Sequence, residues 1–210
     1  MHPLYPHWQA LWQDAPDFEM PILDKMFADI IQHYQEPHRH YHNDTHLKEC
    51  FALFDDIKDK LHRPKLVALA LFYHDVIYDP KSASNEADSA DFAQAALMSK
   101  LSADDVAVIS EFIVATKDHN NSASDPCHAD DLAYLLDMDL AILGADFERF
   151  TAYNAQIRQE YAWVFKPIYH FKRRQVLQGF YAKQRLFLTD YFYERFERQA
   201  KENLKRALEG

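Results

Sequence analysis

The sequence predicts an all-α fold, a single helical bundle over residues 1–210, and three observations carry that prediction. Apolar side chains recur at the helical period through nearly every segment. Only three glycines occur, Gly144, Gly179 and Gly210, far below the usual ~7%, and hairpin-rich β folds lean on glycine for turns with positive φ. Helix-start residues such as Asn43, Pro64 and Ser102 stand directly before apolar stripes. At 210 residues the chain is long enough to build a core without disulfides. No repeat, low-complexity tract or linker divides it.

Residues 44–61 place Leu47, Cys50, Phe51, Phe54, Ile57 and Leu61 on one stripe, opened by Asn43 or Asp44 as N-cap. Pro64 suits a first turn, and Leu66, Leu69, Ala70, Tyr73 and Ile77 continue the next helix up to Tyr78-Asp79-Pro80. Asn85 is the expected cap of a helix that turns Ala87, Ala90, Ala93 and Leu97 inward. Ser102 followed by Asp105 marks another start, continued by Val106, Ile109, Ile113 and Thr116. The polar segment Lys117–Pro126 reads as a loop. A short helix over 128–137 leads to a turn that Gly144 can end. Helices near 146–162, 167–184 and 189–208 complete the chain.

Composition excludes several function classes. Three scattered glycines cannot write a Walker A loop, a G-x-G-x-x-G fingerprint or a G-x-S-x-G nucleophile elbow. Two cysteines, Cys50 and Cys127, cannot build a disulfide framework or a four-cysteine zinc site. No basic stretch followed by an apolar run opens the sequence, and the longest apolar run, Leu66–Tyr73, is far too short to span a membrane. The expectation is a cytoplasmic protein without a membrane partner. A formal charge of −10 argues against bulk nucleic-acid binding.

The twelve histidines are the unusual feature. Three stretches set histidine or aspartate against apolar helices: Arg39–Leu47 (RHYHNDTHL), Phe72-Tyr73-His74-Asp75, and Leu135–Leu140 (LLDMDL). A carboxylate in apolar surroundings is costly unless it is paired or binds a cation. His46, His74, Asp75 and Asp139 would offer two imidazoles and two carboxylates, a set that does not choose among Mn, Fe, Co, Ni, Mg and Zn. Asp137 competes with Asp139 for the last place, and either could instead cap the turn at 141–144.

These stretches, with LALFYHDVIYDP (69–80), NEADSA (85–90), IVATKDHN (113–120) and LLDMDLAILG (135–144), resemble the HD-domain metal-dependent phosphohydrolase superfamily. The likeness is closest to a bacterial branch of predicted HD phosphohydrolases. It implies an HD-type helical domain with a metal-site core at about 39–144 and the helices of 146–208 packed on it. It implies His46, His74, Asp75 and Asp139 as ligands of one divalent ion, Asp139 matching the family's D-L pattern better than Asp137. Some members carry a Glu-Asp pair four and five residues after the histidine of HD; here Tyr78 and Asp79 stand there, so only the aspartate is kept. Asp79 and Glu86 are the expected catalytic carboxylates, though Asp79 also suits an Asp-Pro turn and Glu86 a helix start. Arg39, Lys117 and Arg174 are the expected phosphate contacts, and His119 a phosphate donor or ligand of a second metal.

The implied reaction is hydrolysis of a phosphate ester of a nucleotide or other small phosphorylated metabolite by a metal-activated water. Two alternatives stand beside it. One is a phosphodiesterase with two metals, His119 or His128 adding a ligand. The other is a nucleotide-sensing or interaction module that keeps the pocket without turnover. The aromatic C-terminal helices offer a homodimer surface.

Overall fold

The structure, a computed structural model, describes residues 1–13, 19–121 and 123–209. Among them it is all helical, with no strand. The helices are α1 (Tyr5–Ala10), α2 (Met20–Tyr34), α3 (Asp44–Ile57), α4 (Pro64–Tyr73), α5 (Asn85–Leu97), α6 (Ala103–Ala115), α7 (Ala129–Leu140), α8 (Phe147–Glu160), α9 (Lys166–Ala182) and α10 (Asp190–Glu209). Short 3-10 turns occupy Lys58–Lys60, Pro126–His128 and Ala141–Gly144. No helix of the described residues is long and apolar enough to cross a membrane. The chain divides into two compact units, Met1–Leu132 and Ala133–Gly210. Their boundary falls inside α7 rather than in a loop, so no linker composition marks it.

The first unit is organised around α4. Every residue from Leu66 to Tyr73 is buried, and a helix apolar on all sides has to sit inside. Phe72 meets Trp8 of α1 edge-on at 5.3 Å and Phe51 of α3 at 4.4 Å, with Phe27 of α2 at 6.1 Å. Neither α1 nor α2 figures among the expected helices. Asn43 caps α3 by accepting from the Thr45 N–H, and Ser102 caps α6 by accepting from Asp105 N–H. Arg63 precedes α4, whose N-terminus is held by a distant residue. The Asp131 carboxylate, 1% exposed, accepts from the His62 and Arg63 N–H groups at 2.8 and 2.7 Å.

Two expectations are corrected here. α4 stops at Tyr73 instead of running to Ile77, with His74 as its C-cap. Asn85 is the first residue of α5 rather than its cap; its amide reaches back to Asp79, accepting from the N–H at 3.0 Å and donating to the carbonyl at 2.9 Å.

In the second unit the last helix is tied to the 141–144 turn. Asn203 of α10 donates to the carbonyls of Leu143 and Ala145 at 3.0 and 2.8 Å. Gly144 has no positive φ. Its role is proximity, because a Cβ there would lie 2.7 Å from both Cβ and O of Phe196. Glu197 accepts from the Leu186 and Phe187 N–H groups, fixing the segment before α10. Lys201 donates to the carbonyls of Phe180, Tyr181 and Lys183, capping the C-terminus of α9.

Candidate metal centre

His46 lies in the first turn of α3, and His74 and Asp75 follow directly on α4. Both imidazoles are buried, at 2% and 1% exposure. Their Nε2 atoms face one another at 3.1 Å. Asp75 Oδ2 lies 3.2 Å from His74 Nε2 and 3.7 Å from His46 Nε2. His74 Nδ1 is 2.8 Å from the Leu71 carbonyl. That carbonyl can only accept, so it sets the neutral tautomer in which Nε2 presents its lone pair to the cluster.

The three atoms suit a common cation. Donors about 2.1 Å from one tetrahedral ion lie about 3.4 Å apart, and the three separations here are 3.1, 3.2 and 3.7 Å. Two imidazole nitrogens and one carboxylate oxygen converge where solvent hardly reaches, which is the donor chemistry of a divalent transition-metal site. The His46 ring is flanked by Tyr41 at 4.8 Å. Cys50 Sγ lies 3.8 and 3.9 Å from its two nitrogens.

What fixes the cluster is the backbone that follows it. A chain leaving a helix carries carbonyls and amides with no helical partner, and buried ones need another. From residue 75 to 79 several of these go to side chains, while the Val76 N–H donates to the Tyr73 carbonyl at 3.1 Å and the Asp79 carbonyl also accepts from the Ser82 N–H at 2.9 Å. The Asp75 N–H donates to Tyr34 Oη at 3.3 Å. Arg39 Nη1 donates to the Asp75 carbonyl at 2.5 Å and Nη2 to Val76 at 2.8 Å. Ser89, fully buried in α5, bonds both the N–H and the carbonyl of Ile77. His38 Nε2 reaches the Tyr78 carbonyl at 2.8 Å, and Asn85 takes both groups of Asp79. Tyr34 is held well above the ordinary tyrosine pKa by its burial.

Arg39, expected on phosphate, is therefore corrected. Its side chain has no exposed surface, and besides those carbonyls it donates to His42 O and to the Glu36 carboxylate. Its fork is used on main chain. Arg174, also expected on phosphate, is exposed, and its Nη1 donates to the Leu208 carbonyl at the end of α10, where a cation meets the negative end of the helix dipole. Asp79 is exposed, and its Oδ1 accepts from the Lys81 N–H at 2.9 Å. This is the Asp-Pro turn.

Lys117 and Glu86 come together. The Lys117 ammonium lies 4.0 Å from the Glu86 carboxylate and donates to the Ala83 carbonyl at 2.6 Å. His119 is half-buried and is the one described non-glycine residue with positive φ, at 53°. Its N–H closes onto the Ala115 carbonyl at 3.1 Å, ending α6. His128 sits in the 126–128 turn, 6.4 Å from the Phe112 ring.

The two carboxylates of α7 differ sharply. Asp137, 1% exposed, accepts from the N–H groups of Leu188 and Thr189 and from the Thr189 hydroxyl at 2.7–2.8 Å. Burial pushes its pKa up to about 6 against the pull of those donors. Asp137 is thus a tether for the segment before α10. Asp139 is half-buried in the last turn of α7, in the second unit. The chain matches no family model, no curated protein and no solved structure.

Proposed function

We propose that the chain is a metal-dependent phosphohydrolase acting on a phosphate ester of a nucleotide or other small phosphorylated metabolite. The observation that carries this reading is the convergence of His46 Nε2, His74 Nε2 and Asp75 Oδ2. The resemblance of the H…HD…D stretches to HD-domain phosphohydrolases supplies the reaction class. A divalent ion at such a site lowers the pKa of water and polarises a phosphoryl oxygen. His46, His74 and Asp75 hold it, and Arg39 keeps the last two in place through the carbonyls behind them. Asp79 or Glu86 is the proton acceptor, and Lys117, whose side chain is 55% exposed, is the cation offered to phosphate.

A second reading, a nucleotide-binding module without turnover, is favoured by one observation. Arg39, Arg174 and Asp79, all expected on substrate or water, are engaged with main chain. The deciding experiment is elemental analysis of the purified chain beside a His74→Ala, Asp75→Ala double variant, followed by phosphate release from a panel of phosphorylated metabolites. The hydrolase reading expects about one divalent ion per chain, lost in the variant, and release that follows the metal. Nucleotide binding without release even with added Mn would select the module. No metal after incubation with Mn, Co, Ni or Fe(II) would end the hydrolase reading.

A further inference from the structure

α9 is an isolated face. Of its 17 residues only Tyr169 and Leu177 are buried. Ile168, Phe171 and Val176 are 54%, 60% and 49% exposed, and the elbow before the helix adds Trp163 at 55% and Phe165 at 70%. The exposure does not come from a loose element. Arg158 holds the elbow by donating to the carbonyls of Tyr161 and Val164, and its guanidinium lies over the Tyr169 ring at 4.6 Å. Lys201 caps the other end.

The outward face has a palindromic spacing. Ile168, Phe171, Gln175, Gly179 and Ala182 are all exposed and follow one another at intervals of three, four, four and three. Its first half is large and its second half small. Gly179 lies in mid-helix without positive φ, and a Cβ there would meet nothing within 4 Å. Helix-interior glycine weakens a helix, and nothing inside this chain requires it.

We propose that α9 is the two-fold interface of a homodimer, crossing α9 of a second copy antiparallel about Gln175. An antiparallel two-fold about that residue sets Phe171 opposite Gly179 of the second copy and Ile168 opposite Ala182, each pair occurring twice. Large side chains then enter the gaps left by small ones, the requirement of close helix packing. The area is adequate: at ~200 Å² per aromatic residue, the three exposed rings alone offer roughly 400 Å² per chain, about half of the ~800 Å² per partner in a stable interface. Ile168 and the stems of Lys172, Gln175 and Gln178 add to this. Residues 166–185 hold six Lys and Arg and no acid, so charge opposes the pairing. The seam limits this, since Lys172 faces Gln178 and Gln175 faces itself. Self-association should accordingly strengthen with salt, whereas attraction of the same basic helix to anionic lipid would weaken.

The test is sedimentation velocity of the full chain over a wide concentration range at low and high salt. The expected result is a monomer–dimer equilibrium shifted toward dimer by salt. Gly179→Leu should abolish the dimer while leaving or raising the melting temperature of the monomer, because the added side chain has room in one chain and none in two. Phe171→Gly should also give monomer, and the swap Phe171→Gly with Gly179→Phe should restore the dimer. Monomer at every concentration, a dimer indifferent to Gly179→Leu, or a swap that fails to restore it overturns the proposal. Flotation of a monomeric chain with phosphatidylglycerol vesicles would assign the face to lipid and overturn it as well.

Discussion

Arg39 shows how a residue read as a ligand contact becomes a clamp. Its chemistry, a planar fork with several donors, suits phosphate and suits a pair of helix-end carbonyls equally. Which of the two it meets depends on residues 36 and 37 positions further on, and no local pattern encodes that distance. Arg39→Met should lower stability by about 2–4 kcal/mol, since it leaves the Asp75 and Val76 carbonyls without their guanidinium donor. Arg39→Lys should not rescue it, because a single ammonium cannot serve Asp75 and Val76 in the same geometry; urea denaturation of both variants checks this. By contrast His46, His74 and Asp75 were legible as a set, because two are adjacent and the third opens a helix of matching character. The choice between Asp137 and Asp139 was not. Asp137 finds its donors 51 and 52 residues away, at Leu188 and Thr189.

At the scale of elements, caps made by neighbours were readable and caps made at a distance were not. Asn43, Pro64 and Ser102 act within three residues and mark α3, α4 and α6 as expected. α4, however, also depends on Asp131 of α7, and Asp131→Ala should cost about 2–3 kcal/mol by leaving two N–H groups at a helix N-terminus without their acceptor. Thermal denaturation should show this, with Asp131→Asn intermediate. α2 carries a usable sequence signal: Pro21 in the first turn, then Leu23, Phe27, Ile30, Ile31 and Tyr34 on one buried face. α4 ended early because its continuation is bonded to side chains, which periodicity does not see. Gly144 ends the 141–144 turn as expected and in addition admits α10. Gly144→Ala should cost about 1–3 kcal/mol from overpacking, with Gly179→Ala as a neutral or stabilising comparison.

For the whole molecule, the prediction concerns metal and stability together. An ion that binds only the folded chain stabilises it by about 2.7 kcal/mol at a hundredfold excess over Kd. Exhaustive chelation should therefore lower the melting temperature, and readdition of the ion should restore it. An unchanged transition would separate the cluster from the fold and remove the main physical support for the metal reading. The all-α class was legible from scarce glycine and helical period, whereas the division at Leu132 was hidden because it falls within α7 and no loop marks it. The bonding of residues 75–79 has one more consequence, in time rather than in energy. Tyr34 and Arg39 come from before the cluster and Ser89 and Asn85 from after it. The histidine–aspartate corner is thus finished only when both flanks have docked. In pulse-labelled refolding, the amides of Asp75, Ile77 and Asp79 should gain protection from exchange after those of α4 itself, making them a clock for the last step of folding in this unit.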